Sequence, residues 1–412
     1  MQIFDSTQAK RRQGPRGKFD PLLLAALIAL ASVGVIMVAS SSIAVADSQH
    51  IGEFYFLKKH LVFLTLGIVA AGVAMRTELK LLEKHAFLLI LVAFIMLLAV
   101  FVPHLGMRLN GARRWLNLIV TTFQPVEAVK LILVVYVASY LVRHRESIET
   151  RFIGLIKPLI VAGGIVGLLL LQPDFGSAML VITVTIAMVW LGGARPLFLC
   201  LMGLPLMPLL AVAATSESYR MKRLTTFLHP WEHPFDDGFQ LTQSLMAIGR
   251  GEWTGVGLGS SVLKLSYLPE AHTDFIFAVI GEELGLTGIV LVMGLFALAV
   301  GRGLHLGLKG VEIGQRFAGY VTFGISLMIG LQTIVSVGVN LGALPTKGLT
   351  LPLISYGGSS MVLTCAMAGV LLRATYEINR ALDARQMATR MPALAVPDAN
   401  AAAEREREAV AA

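Results

Sequence analysis

Cysteine and charge are both scarce in this 412-residue sequence. Only two cysteines are present, Cys200 and Cys365, and both fall in apolar runs, so no disulfide framework is indicated. Charged residues make up 15% of the chain, whereas 56% of residues are hydrophobic and the mean hydropathy is +0.74. This balance is too apolar for soluble domains of the same combined size, so an ordinary soluble globular protein is excluded.

Nucleotide-binding and metal-binding motifs are also missing. The glycine-rich segment 249–261 matches neither GxGxxG nor GxxxxGK[ST], and no strand and helix flank it as a nucleotide-binding fold requires. Its glycines instead favour tight turns at a membrane surface. His229 and His233 flank PWE without companions at zinc-ligand spacing, so a zinc centre is not indicated.

Long apolar runs are what the sequence has in abundance. A helix needs about 20 apolar residues to cross roughly 30 Å of hydrocarbon. Ten runs meet this requirement, at 22–43, 56–75, 86–102, 126–142, 153–171, 177–193, 197–214, 275–300, 317–339 and 350–372. The sequence therefore predicts an all-α polytopic membrane protein with about ten transmembrane helices.

The charge distribution predicts the orientation of these helices. The formal net charge is +8, and placing the N-terminus inside puts 22 Lys and Arg residues in cytoplasmic segments against 11 outside. Such a bias follows the positive-inside rule, so it requires no nucleic-acid partner. Both termini are then cytoplasmic. The alternative is a secretory signal cleaved near Ala46, which would leave nine spans, but the run from Leu22 exceeds the roughly 7–15 residues of a signal core.

Three regions follow from this topology. Residues 1–20 form a basic cytoplasmic tail, 21–375 form the membrane domain, and 376–412 form a cytoplasmic tail that we expect to be disordered. Within the membrane domain, 215–273 is a large outside loop between the seventh and eighth spans. Loops of that length are usually functional.

Glu127 and Lys130 lie in or at the mouth of the fourth span, where placing an ionised side chain in the membrane costs free energy. Their i, i+3 spacing places them on one helix face, so they can pair. Either the pair neutralises itself and only orients the helix, or this face lines a polar cavity.

Asp274 opens the eighth span at the outer boundary, in the sequence HTDFIFAVIGEELG. Its carboxylate could simply complement the helix dipole. The alternative is a general base at the water–lipid boundary, where partial desolvation and nearby cations act on its pKa in opposite directions.

Lys and Arg residues on the outer side are not accounted for by the positive-inside rule and need another explanation. Arg113 beside Arg114, Arg220 with Arg223, and Lys347 could converge on the oxygens of a phosphate-containing substrate. Contact with phospholipid headgroups is the alternative for each of them.

Several long motifs in a fixed order resemble the SEDS (shape, elongation, division and sporulation) family. They are NGARRWL (110–116), QPVEAVK (124–130), QPDFGSA (172–178), YRMKRLTTFLHPWEHPFDDGFQLTQSLMAIGRGEW (219–253), YLPEAHTDFIFAVIGEELG (267–285) and LPTKGLTLPLISYGGSS (344–360). The segments PWEHPF, QLTQSLMAIGRGE and PEAHTDF resemble the division type more than the elongation type.

This resemblance implies a peptidoglycan glycosyltransferase that polymerises lipid II at the septum, in the cytoplasmic (inner) membrane. Its implied partners are the lipid-linked glycan strand, a class B penicillin-binding protein (FtsI) that supplies the transpeptidase, and other divisome membrane proteins. The family's essential aspartate falls on Asp274. The predicted substrate and pyrophosphate site comprises Arg113, Glu127, Lys130, Asp174, Arg220, Arg223, Gln243 and Lys347. No cofactor is certain, and a divalent cation beside the pyrophosphate stays open.

Two rival functions use the same residues. A transporter that flips lipid II explains intramembrane charges at least as well, although it explains the large outside loop and Asp274 less well. A non-catalytic scaffold for the penicillin-binding protein is the other.

Overall fold

The fold is a bundle of long helices with a small sheet at one end. The computed structural model describes residues 17–390 except 49, 110–111, 118–120, 199, 202–203, 205–207, 209–225, 233, 237, 265–267 and 347. The helices of this part are α1 (Pro21–Ser48), α2 (Tyr55–Arg76), α3 (Leu79–Ala99), α4 (Pro125–Arg143), α5 (Arg145–Thr150), α6 (Ile153–Leu171), α7 (Phe175–Leu191), α8 (Phe239–Arg250), α9 (Ile276–Glu312), α10 (Arg316–Asn340) and α11 (Gly358–Arg390).

Eight of the described helices are long and apolar enough to cross a membrane, namely α1, α2, α3, α4, α6, α9, α10 and α11. Helix α7 is apolar but has only 17 residues, at the lower limit for a span. The predicted seventh span at 197–214 lies largely outside the described residues. The prediction of an all-α polytopic membrane protein is confirmed.

Helices α4 and α10 form the centre of the bundle, where most of their side chains are buried. Helix α10 packs along α9 and also contacts α4 and α7, whereas α2 packs along α11 and exposes most of its surface. An exposed apolar helix face in a membrane protein is the face that meets lipid. The core is therefore built around α4 and α10.

Both ends of the described chain meet at one end of the bundle. Asp20, before α1, pairs with Arg302 of α9 at 2.8 Å, and Asn379 of α11 donates a hydrogen bond to Lys18 O at 3.1 Å. This arrangement requires an even number of crossings between them, as the charge distribution predicts.

Helix α11 differs from its prediction at both ends. The segment 350–357, expected to be helical, is irregular because Ser355 Oγ accepts from Leu351 N in a local turn around Pro352. At the other end the helix runs to Arg390 rather than ending near 375. Contacts such as that of Arg385 with Ile313 O hold residues expected in a disordered tail as helix.

A three-stranded antiparallel sheet, which the sequence did not predict, covers the end of the bundle away from the termini. It comprises β1 (Gly106–Leu109), β2 (Ala112–Asn117) and β3 (Thr122–Phe123) in the order β1-β2-β3. The strands are so short that their alternation is not a usable signal.

Helix α9 is interrupted at Gly285, whose φ of 65° is left-handed. The glycine-rich loop packs its backbone against this break: Gly255 N lies against Gly285, and Leu286 N donates to Glu252 O at 2.9 Å. The loop thereby replaces helix hydrogen bonds that the break removes.

Two buried carboxylates of α9 hold the same loop. Glu283 pairs with Lys264 at 2.7 Å and accepts from Ser40 of α1, while Glu282 accepts from Ser261 Oγ. The large outside loop is therefore fastened directly to the helix that follows Asp274.

Candidate active site

A cavity of about 1430 Å³ lies at the sheet-bearing end of the bundle. Its walls come from α2, the sheet, the turn before α9 and the segment before α11. Its charged and polar lining includes Lys58, Lys59, Arg114, Gln124, Gln240, Glu270, Thr273, Asp274, Thr346, Thr350, Tyr356 and Ser360, and its apolar lining includes Val62, Phe63 and Leu66 of α2. The apolar side chains follow α2 towards the membrane interior, so the cavity is amphiphilic.

Asp274 lies in this cavity, in a turn two residues before α9 begins. The sequence placed it at the opening of the helix, but it precedes the helix because Glu270 O accepts hydrogen bonds from Thr273 N and Phe275 N. Its side chain is half-buried.

The backbone around Asp274 is held from two neighbouring segments. The buried amide of Asn340, at the end of α10, donates to Asp274 O at 3.0 Å and accepts from Ala278 N at 3.1 Å. Ser355 Oγ donates to Thr273 O at 2.7 Å. These bonds fix the position from which the carboxylate points into the cavity.

Gly348 lies directly against the carboxylate. A Cβ added to this glycine would be 2.9 Å from Asp274 Oδ2, closer than real Cβ atoms approach other heavy atoms. The absence of a side chain at Gly348 therefore leaves space that Asp274 occupies.

Glu127 and Lys130 form the predicted ion pair, with 2.8 Å between Lys130 Nζ and Glu127 Oε1. Both side chains are almost completely buried, and neither lines the cavity. Lys130 Nζ also donates to Gln332 Oε1 at 2.8 Å. The pair therefore faces the protein interior between α4 and α10.

Asp174 and Arg114 both bind backbone groups near the start of α7. Asp174 Oδ1 accepts from Ser177 N at 3.2 Å and so caps this helix, as Asp commonly does. Arg114 donates to Gln172 O and Pro173 O, while lining the cavity. The neighbouring Arg113 is exposed on β2 and does not line the cavity.

Of the remaining predicted site residues, only Gln243 lies in the described part of the chain. Gln243 is buried in α8, outside the cavity lining, while Gln240 of the same helix lines the cavity. Arg220, Arg223 and Lys347 lie outside the described residues.

Lys58 and Lys59 line the cavity, although neither was among the predicted site residues. Their position at the polar end of the second apolar run is the sequence feature that could have identified them. Together with Arg114 they place three basic side chains in the lining of the cavity, which also contains Asp274 and Glu270. Cations and carboxylates in one cavity suit a substrate that carries both phosphate oxygens and a hydroxyl to be deprotonated.

His272 and Tyr356 form the aromatic edge of this region, with ring centroids 5.5 Å apart. Burial lowers the pKa of His272, and the charge of Glu270 opposes that shift. Burial raises the pKa of Tyr356, and Lys59 opposes it. Near neutral pH both groups are therefore uncharged.

Within the described residues, no group of three or more His, Cys, Asp or Glu side chains is arranged to hold a metal ion.

Comparisons with known proteins agree with this architecture. A probable peptidoglycan glycosyltransferase FtsW from Xanthomonas oryzae pv. oryzae is 54% identical over 91% of this chain and 76% of its own length. One with the same description from Coxiella burnetii is 44% identical over 87% of this chain and 96% of its own.

Two solved structures are similar as well. A peptidoglycan synthase complex that coordinates polymerization and crosslinking contains a chain with a TM-score of 0.70 and 30% identity, covering 87% of this chain and 97% of that one. The rod shape determining protein RodA of Thermus thermophilus has a TM-score of 0.62 and 27% identity, covering 87% and 96%.

The family model for the FtsW, RodA and SpoVE cell cycle proteins matches residues 21–380, from the start of α1 to within α11. The chain therefore belongs to the FtsW/RodA/SpoVE family of cell cycle proteins.

Proposed function

We propose that the chain is a peptidoglycan glycosyltransferase that polymerises lipid II into β-1,4 glycan strands, with Asp274 as its general base. The observation that carries this proposal is the half-buried Asp274 carboxylate in an amphiphilic cavity whose lining also contains Lys58, Lys59 and Arg114. The names of the relatives from X. oryzae and C. burnetii support the same activity.

Each part of the cavity matches one part of a lipid-linked sugar. The apolar side chains of Val62, Phe63 and Leu66 suit the first units of a polyprenyl chain. Lys59 and Arg114 can donate hydrogen bonds to pyrophosphate oxygens. Asp274, held by its neighbours, would face the sugar hydroxyl.

The reaction transfers one glycosyl group with inversion at the anomeric carbon. The GlcNAc 4-hydroxyl of lipid II attacks the anomeric carbon of the MurNAc at the end of the growing strand, and Asp274 accepts the hydroxyl proton. The bond between that carbon and the pyrophosphate oxygen breaks, and undecaprenyl pyrophosphate leaves. A general base typically contributes about 10²–10⁴-fold, so stabilisation of the leaving charge by cations must supply much of the rest.

Membership of the family supports a proposal for the site of action and for the partner. We infer residence in the cytoplasmic (inner) membrane at the division septum, beside a class B penicillin-binding protein that crosslinks the strands. The structural similarity to a chain of a peptidoglycan synthase complex supports a partner of this kind.

Vesicles that contain purified full-length chain test the proposal against its rivals. Fluorescent lipid II would be added together with the class B penicillin-binding protein, and both product length and transbilayer movement would be measured. A polymerase yields long strands. Movement of the label without strands would favour a flippase. In a separate test in dividing cells, normal division supported by Asp274→Ala would favour a scaffold.

A further inference from the structure

The buried Glu127–Lys130 pair does not line the cavity, yet a continuous chain of hydrogen bonds joins it to the cavity wall. Lys130 Nζ donates to Gln332 Oε1 at 2.8 Å, and Gln332 Nε2 donates to Thr350 O at 2.9 Å. Thr350 lines the cavity. Gln332 therefore links an ion pair on α4, through α10, to the segment before α11.

The chemistry of the partners fixes the orientation of this amide. The Lys130 ammonium can only donate, so the Gln332 oxygen must face it, and the Thr350 carbonyl can only accept, so the nitrogen must face that carbonyl. Gln332 is 3% exposed, hence water does not compete for either contact. Such bonds in a buried site constrain position more strongly than exposed ones.

The anchored segment is the one that contacts the general base. Gly348, two residues before Thr350, is the glycine against Asp274 Oδ2. The segment is not part of a helix or strand, so hydrogen bonds such as that from Gln332 take over the role of regular secondary structure. A shift at Thr350 would be passed along this short backbone to the wall beside Asp274.

We propose that Gln332 is a positioning residue, through which the Glu127–Lys130 pair holds segment 348–350 in place against Asp274. On this view the ion pair contributes to catalysis without touching substrate. This inference rests on the proposed glycosyltransferase function.

Three single variants separate positioning from other effects. Gln332→Met keeps the side-chain length and removes both hydrogen bonds. Gln332→Glu keeps an acceptor for Lys130 but replaces the donor to Thr350 O by an acceptor. Thr333→Val is the matched control, because Thr333 is buried on the same helix and its hydroxyl donates only within that helix, to Ile329 O.

The assay is strand synthesis from lipid II by the full chain with its class B penicillin-binding protein in vesicles, over a range of lipid II concentrations. Because a misplacement of about 1 Å can cost about 10²-fold in rate, Gln332→Met and Gln332→Glu should lower kcat about 10- to 100-fold. KM should change less than about threefold, since binding groups are untouched. Thr333→Val should stay within about twofold of wild type.

Combination with Lys130→Met tests the linkage itself. Residues that act through one chain are not additive, so the double variant Lys130→Met/Gln332→Met should be no slower than about the slower single variant. Multiplied effects would overturn the proposal, as would a wild-type kcat for Gln332→Glu, which would mean that only the contact with Lys130 matters. If Gln332→Met fails to fold by thermal unfolding, Gln332→Glu still decides the question.

The same assay separates this inference from the function on which it rests. An inactive wild type or a fully active Asp274→Asn would overturn the glycosyltransferase proposal and this inference with it. An active wild type, an inactive Asp274→Asn and normal Gln332 variants would reject the positioning role alone.

Discussion

Replacement of Gly348 by alanine should slow catalysis without weakening the fold. The new Cβ would lie 2.9 Å from Asp274 Oδ2, about 0.5 Å inside the 3.4 Å at which ordinary van der Waals contact begins. The carboxylate is the movable partner, so it must turn or retreat by about that distance. A misplacement of about 1 Å can cost about 10²-fold, so roughly half of it predicts about a tenfold lower kcat.

The stability of Gly348→Ala should rise slightly or stay unchanged. Gly→Ala at a compatible position stabilises a protein by about 0.4–1 kcal/mol, because alanine restricts the unfolded chain. An off-rotamer Asp274 costs about 0.5–1.5 kcal/mol, so the two effects nearly cancel. Single-turnover strand synthesis and thermal unfolding of the same preparation measure both quantities.

Gly249→Ala is the matched control, because a Cβ there meets no heavy atom within 4 Å and the residue lies in α8. This variant should keep the wild-type rate and gain a little stability. A wild-type kcat for Gly348→Ala, or an equal loss in both variants, would refute the reasoning that the free space at Gly348 serves Asp274.

Two further predictions concern the structure around the site. Lys264→Met leaves Glu283 buried without its cation and should destabilise the fold by about 3–5 kcal/mol in thermal or denaturant unfolding. Adding Glu283→Gln to this variant should recover much of the loss. A Lys264→Met variant as stable as wild type would contradict this prediction. Because burial lowers the pKa of His272, the unfolded chain binds a proton that the folded chain does not, so stability should fall as the pH drops below about 6.5. Thermal unfolding of wild type should therefore show a steeper acid loss than His272→Phe, and equal slopes would argue against a buried neutral imidazole.

Local sequence patterns predicted the structural features that depend only on residues close together in the sequence. The apolar runs predicted most of the membrane helices, and the i, i+3 spacing of Glu127 and Lys130 predicted an ion pair that the structure has at 2.8 Å. Spacing alone could not say whether that pair faces a cavity or the interior. Its partner Gln332 is 202 residues away, and only the packing of α10 against α4 brings it there.

The surroundings of Asp274 were unpredictable for the same reason. Asn340 and Gly348 reach it from more than 60 residues away, and no periodic pattern relates them to it. Even the choice between Arg113 and Arg114 depends on which face of β2 meets the cavity, and the strand itself was not predicted. Long-range placement, rather than local propensity, decides these contacts.

The break in α9 shows a related limit. Apolar residues lie on both sides of Gly285, so the sequence predicted one continuous span at 275–300. The backbone contacts of the glycine-rich loop with this position reveal why a glycine stands there.

Strand synthesis by Asp274→Asn tests most directly whether Asp274 is the general base, because the substitution keeps the size of the side chain and removes the base. Binding of lipid II to the variant would be measured in the same vesicles. We expect a kcat lower by at least about 10²-fold with lipid II binding retained. Synthesis by the variant at a near-normal rate would show that Asp274 is not the base.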